Sequence, residues 1–244
     1  MSTGHQTRPT GDNPAKPIGR RGAVTWFSVT DACNAHCAFC AEHVPRLTDD
    51  LRSDAVLKRL EQALLPEPPQ EVLLTGGEPT LHPRLATVIE RCRSLGVERV
   101  VLFTNGMALA DPRRLEAYVA AGLTAARVSL FGVEDDATAA TRHPRAWELA
   151  SAGVDAAVAA GLELQLATVV NGATLSHLPR LAETIAARWP TAKRVTFRPY
   201  VSRPPNAPDG LHLRPAEMMQ DLSAALAHLA AASISVAPDP GYGF

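Results

Sequence analysis

Cys33, Cys37 and Cys40 fall in one short run, Cys33-Asn34-Ala35-His36-Cys37-Ala38-Phe39-Cys40, at a C-x3-C-x2-C spacing. Most cysteine-bound iron–sulfur clusters take four thiolates and are closed. Three thiolates hold three corners of a cubane [4Fe–4S] cluster and leave the fourth iron open to bind a substrate. The same residues admit another chemistry. Cys-x2-Cys pairs also bind zinc, and His43, or His36 inside the loop, would complete a Cys3His set. The chain has four cysteines and three are in this loop, so a disulfide framework is not expected. The fourth, Cys92, stands in a helix-like stretch and reads as a small buried hydrophobe. No cysteine follows it, so this sequence supplies no ligands there for a second cluster.

Regular elements must hold this loop in place. The sequence alternates strand-like and helix-like segments from Ala23 onward. Strands are expected to start near Val24, Val72, Val100, Val128, Leu164 and Val195. Their short runs, rich in Val, Leu and Phe, suit parallel strands covered by helices. Helices are expected over about Ser53–Leu65, Pro83–Leu95, Pro112–Ala121, Arg145–Ala160 and Leu175–Arg188. Asp111-Pro112 is a start signal, with Asp as N-cap and Pro at the first helical position. Gly96, Gly122 and Gly161 follow three of these helices, where left-handed caps are expected. A last helix is expected over Pro215–Ala231, and Ile234–Val236 as one short strand. The alternation implies right-handed βαβ units. Loops at the C-terminal strand ends should then line one mouth, which gathers the cysteine loop, Gly76–Pro79, Thr104–Gly106, Phe131–Gly132, Asn171–Gly172 and Pro199–Val201.

The run Glu71-Val72-Leu73-Leu74-Thr75 leads into Gly76-Gly77-Glu78-Pro79, and Phe39 stands one residue before the last cysteine. With the cysteine triad after the strand Ala23–Thr30, these features resemble the radical S-adenosylmethionine (radical SAM) superfamily over roughly residues 21 to 201. Val100–Gly106 and Ala126–Phe131 resemble that family's third and fourth strands. The resemblance implies an α/β fold, a partial (β/α)6 barrel. It divides the chain into a disordered tail (1–20), a core (21–201), and a C-terminal connector with a helix extension (202–244).

What the resemblance implies for the site follows residue by residue. One [4Fe–4S] cluster would sit on Cys33, Cys37 and Cys40. Its open iron would chelate the amino and carboxylate groups of S-adenosyl-L-methionine. Gly76, Gly77, Glu78 and Pro79 would serve the cofactor's amino group, and Glu78 would place charge beside that ammonium. Phe39 would pack near the adenine or cover the cluster. Ser129 and Asn171, at later strand ends, are candidates for ribose or carboxylate contacts, and equally for turn formers. Thr104 and Asn105 would touch cofactor or substrate, or form a turn, since Asn-Gly is a common turn pair. Arg198 and Tyr200 share one side of the last strand if it is regular. An external one-electron donor, flavodoxin or ferredoxin, is implied. No residue is assigned a catalytic role. Relatives that modify peptides, and the molybdenum-cofactor cyclases, carry a cysteine-rich C-terminal extension that this sequence lacks.

Bulk properties agree with that reading. Formal net charge is −1, which gives no electrostatic case for a nucleic-acid or membrane partner. There is no apolar run of about 18 residues and no apolar leader. A reducing cytoplasm is the expected setting. The expected activity is reductive cleavage of S-adenosylmethionine, followed by hydrogen abstraction from a small-molecule or peptide substrate. The alternative is a non-catalytic iron–sulfur or zinc scaffold.

Overall fold

The computed structural model describes residues 24–37, 39–40, 55–200, 211, 213 and 215–236. Residues 1–20, His43, the Arg203–Pro208 connector and the terminal Gly-Tyr-Gly-Phe lie outside the described residues. The elements run β1 (Val24–Thr30), α1 (Ala55–Leu64), β2 (Glu71–Gly76), α2 (Leu85–Ser94), β3 (Arg99–Thr104), α3 (Pro112–Ala120), β4 (Ala125–Ser129), α4 (Asp135–Thr141), α5 (Ala146–Ala159), β5 (Glu163–Val170), α6 (Leu178–Arg188), β6 (Arg194–Pro199), α7 (Pro215–Ala231) and β7 (Ser235–Val236). All strand pairs are parallel, in sequential order β1 to β7. The sheet is therefore an open barrel with β1 and β7 as its edges among the described residues. The run read as a strand at Ile234–Val236 adds β7 to the expected six.

Alternation divides each strand between two sides. Phe27, Val29, Val72, Leu74, Val100, Leu102, Ala126, Val128, Leu164 and Leu166 face the helices and build the main core. Helices meet them through stripes at helical spacing, such as Val56, Leu60 and Leu64 of α1, or Leu85, Val88, Ile89 and Cys92 of α2. Each fully buried large side chain contributes roughly 1.5–3 kcal/mol. Cys92 is part of this core, as its sequence setting suggests. The expected caps are present: Asp111 accepts from the Arg113 N–H, and Gly96, Gly122 and Gly161 take positive φ.

Two expectations shift. β4 begins at Ala125 rather than near Val128, because Ala125 and Ala126 pair with strands on both sides despite their weak strand preference. Helix α4, over Asp135–Thr141, was not expected; its seven residues carry no apolar stripe to announce it.

The other side of the sheet is concave and more polar. Its floor, at the N-terminal strand ends, holds an ion-pair network. Arg99 donates through Nε to Glu71 (2.5 Å) and through both terminal nitrogens to Glu163 (3.0 and 2.5 Å). Glu163 also accepts from Gln165, whose Oε1 accepts from buried Arg127 at 2.9 Å. Above lie Trp26 and Phe103 in edge-to-face contact, with the Arg127 guanidinium 5.9 and 5.8 Å from the two ring centres. Arg198 stands over Phe103 at 5.6 Å.

Candidate functional site

The mouth forms where β1, β2 and β3 end. After Thr30 the chain leaves regular structure and enters the cysteine loop, which neighbours hold at several points. The Glu78 N–H donates to the Ala32 carbonyl (2.7 Å), and the His36 N–H to the Thr141 carbonyl at the end of α4 (2.7 Å). Between these tethers, Asn34 Oδ1 accepts from Asn105 Nδ2 at 2.8 Å. Within the loop, the Ala35 N–H donates to Cys33 Sγ (3.4 Å), and the Cys40 N–H to the Cys37 carbonyl (3.2 Å). Cys33 and Cys37 are half-buried and Cys40 is exposed.

Gly76 and Gly77 serve this loop directly. A Cβ on Gly76, at φ +136°, would lie 2.2 Å from the Thr30 carbonyl oxygen, and one on Gly77 2.3 Å from that of Ala32. Only glycines let the β2 exit lie this close to the β1 exit. The sequence reading placed these glycines against a ligand; their demonstrated close approach is to protein backbone.

Glu78 is 1% exposed. Its Oε1 accepts from Thr80 N (3.1 Å), Thr80 Oγ1 (2.6 Å) and Thr104 Oγ1 (2.6 Å), and its Oε2 from Asn105 N (2.7 Å). Burial pushes this carboxyl above the usual carboxylate range, while the donors from Asn105, Thr104 and Thr80 act the other way. Its side chain ties β2 to β3. Pro79 opens the 3₁₀ turn Pro79–Leu81, for which Glu78 is the cap.

The remaining expected residues fall around the same mouth. Phe39 is buried, with its ring edge-to-face on Phe131 at 4.9 Å. Together with Ala140, Leu211, Val169 and Tyr200 they form a small apolar cluster against Cys37. Ser129 is half-buried at the end of β4 and lines a shallow pocket with Asn105, Met107, Phe131 and Thr141. Asn171 is fully buried after β5. Its Oδ1 accepts from Ala173 N (2.8 Å), while its Nδ2 has no hydrogen-bond partner among the described residues.

The family model of the radical SAM superfamily matches residues 27–185. The chain belongs to the radical SAM superfamily. It is 30% identical over 189 residues to a GTP 3′,8-cyclase of Chlorobaculum tepidum, across 75% of this chain and 56% of that protein. The chain thus spans about half the length of the curated relatives it matches. Its fold is similar to that of anSMEcpe with bound AdoMet and a peptide (TM-score 0.69, 16% identity, 87% of this chain and 62% of that one). It is also similar to that of Streptococcus suis SuiB bound to S-adenosylmethionine (TM-score 0.66, 12% identity, 92% and 53%). The chain therefore has the open α/β-barrel fold of these structures. The cofactors of that family are one or more iron–sulfur clusters of the [4Fe–4S] type and S-adenosylmethionine.

The loop's chemistry fits such a cluster. Burial, followed by repulsion from Cys40 and Cys33, pushes the Cys37 thiol up to about 12, with a backbone hydrogen bond and Arg142 acting against it. A Cys37 thiol displaced this far upward needs a positive partner such as a metal to ionise. The described helices include none long and apolar enough to cross a membrane.

Proposed function

We propose that this chain reductively cleaves S-adenosylmethionine and directs hydrogen abstraction at a small-molecule or peptide substrate. One observation carries the reading. Three cysteines stand in one loop at the strand ends, and the Gly76–Gly77 backbone is packed directly onto that loop. When bound, the cluster and cofactor, with one electron from a donor such as flavodoxin or ferredoxin, supply a 5′-deoxyadenosyl radical and methionine.

The chain's own residues hold and orient. Cys33, Cys37 and Cys40 would ligate three irons as thiolates. With Glu78 Oε1 and Oε2 both engaged by protein donors, Gly76–Pro79 would meet the cofactor's methionine end through backbone groups. Asn171 Nδ2 is a buried donor that lacks a partner, and buried donors are rarely left so. It would serve the ribose or carboxylate, as Ser129 would from the end of β4. Phe39, Phe131, Val169 and Tyr200 would wall the mouth against water and competing hydrogen donors. GTP is the first substrate to try, on the name of the curated relatives, with peptides second.

The test is anaerobic reconstitution. About four irons per chain are expected from one cubane. With strong reductant and S-adenosylmethionine, 5′-deoxyadenosine should form, and faster with substrate. Cys37→Ala should abolish it. A wild type that holds its cluster yet exceeds the Cys37→Ala background by nothing is not this enzyme, and a colourless zinc protein would be a scaffold.

A further inference from the structure

Asn105 follows the last residue of β3, and Asn34 follows Cys33; the two are 71 positions apart. The backbone N–H and both side-chain polar atoms of Asn105 are committed. Its backbone N–H donates to Glu78 Oε2 (2.7 Å). Its Oδ1 accepts from the Met107 N–H (3.0 Å), closing a turn of the type Asn side chains favour. That acceptor bond fixes which way the amide faces, so Nδ2 is aimed at Asn34 Oδ1, 2.8 Å away. Asn34 Nδ2 in turn contacts Met107 Sδ at 3.9 Å.

The turn itself is braced. Gly106 is left-handed, at φ 80°, and its N–H donates to Thr104 Oγ1 (3.0 Å), which donates to Glu78 Oε1 (2.6 Å). Helix α5 backs onto it so tightly that a Cβ on Gly153 would lie 2.1 Å from the Gly106 carbonyl oxygen. Residue 105 is thus held by Glu78, by its own turn and, through Gly106, by α5 before its side chain reaches the loop. Among the described residues Ala32 and His36 tether the loop to its neighbours through the backbone, and Asn34 stands midway between them.

We infer that Asn105 is a positioning residue that sets, through its side-chain hydrogen bond to Asn34, where the Cys33 thiol stands relative to the Gly76–Pro79 backbone. Glu78 is the shared anchor. One oxygen holds the motif's own turn through Thr80, and the other holds Asn105, so loop and motif are referred to a single buried group. The consequence for the cofactor rests on the function proposed above; the clamp itself does not.

The first measurement is hydrogen exchange over residues 33–37 of the protein without iron, in wild type, Asn34→Ala, Asn105→Ala and the double variant. Each single variant should speed exchange in that loop by about tenfold, the change that 1.4 kcal/mol brings. The double should do no more than either single, because one shared contact is removed in each. After reconstitution, each single variant should raise KM for S-adenosylmethionine about tenfold, with kcat changed much less. Asn105→Asp keeps the acceptor for Met107 and loses the donor to Asn34; should Asn105→Ala fail to fold, it decides the matter with the same expected results. Unaltered loop exchange in both single variants, or effects that multiply in the double, would overturn the clamp. If wild type makes no 5′-deoxyadenosine, the function fails while the exchange result still judges the clamp.

Discussion

The floor and the mouth of the concave side treat their carboxylates in opposite ways. At the floor, Glu71 and Glu163 flank Arg99 and share its guanidinium fork, with all three side chains about a fifth to a third exposed. Burial works against the Glu163 charge, but hydrogen bonds from Arg99 and Gln165 prevail and hold its carboxyl below the usual range. At the mouth, Glu78 is sealed from water and meets only neutral donors, two hydroxyls and two backbone N–H groups. Opposite charge closes one end of the barrel; hydrogen-bond geometry shapes the other.

The largest expected effect breaks the mouth. A valine at position 77 would put its Cβ 2.3 Å from the Ala32 oxygen and 2.6 Å from that of Asp31. Both are backbone atoms and cannot swing aside. If these glycines faced only the cofactor, such a valine would bar it and leave the cluster in place. The geometry predicts more: Gly77→Val should cost about 3 kcal/mol or more and displace the start of the cysteine loop, so iron is lost along with cofactor affinity. Urea denaturation and iron content after reconstitution read both. Normal iron with cofactor affinity alone reduced would restore the sequence-based expectation.

Next is the Glu78 anchor. Glu78→Gln keeps one acceptor oxygen but turns an NH2 group toward a donor, either Asn105 N–H or the threonine set. Removing the buried charge offsets part of that loss, so a net destabilisation of about 1–2 kcal/mol is expected. Measured stability at neutral pH equal to or above wild type would mean that burial of the charge outweighs the four donors.

These two residues mark how far the sequence alone could lead. The cysteine spacing and Gly-Gly-Glu-Pro were legible because they are contiguous, and the strands because their alternation survives in any register. What the glycines face was not legible, since it depends on β1 and β2 pairing so that Thr30 lies opposite Gly76. Glu78 read as a charge offered to a ligand because nothing in its neighbours foretells Thr104 and Asn105 closing on it from another strand. The Asn34–Asn105 bond joins residues remote in sequence, each of an ordinary turn-forming type. Arg127 escaped notice, although alternation sets it on the same side as Ser129.

The smallest effect tests the floor and, through pH, the comparison itself. Arg99→Met leaves Glu71 and Glu163 facing each other without their cation. Both are open enough to solvent to discount the loss to about 1 kcal/mol at neutral pH. The pH dependence should carry the sign of each end. Glu163 is held below the ordinary glutamate value of about 4.3, so its contribution is present above that value and lost as pH falls through the lower folded one. The gap between wild type and Arg99→Met should therefore close in acid. Glu78 is displaced upward, so its contribution is full below the ordinary value and lost as pH rises toward the folded one. The gap between wild type and Glu78→Gln should be widest in acid and narrow as pH climbs. Urea titrations of the three proteins without iron, between about pH 4 and 8, measure both slopes on the same scale. Two gaps that run in the same direction would mean that the floor and the mouth do not differ in the way their hydrogen bonds imply.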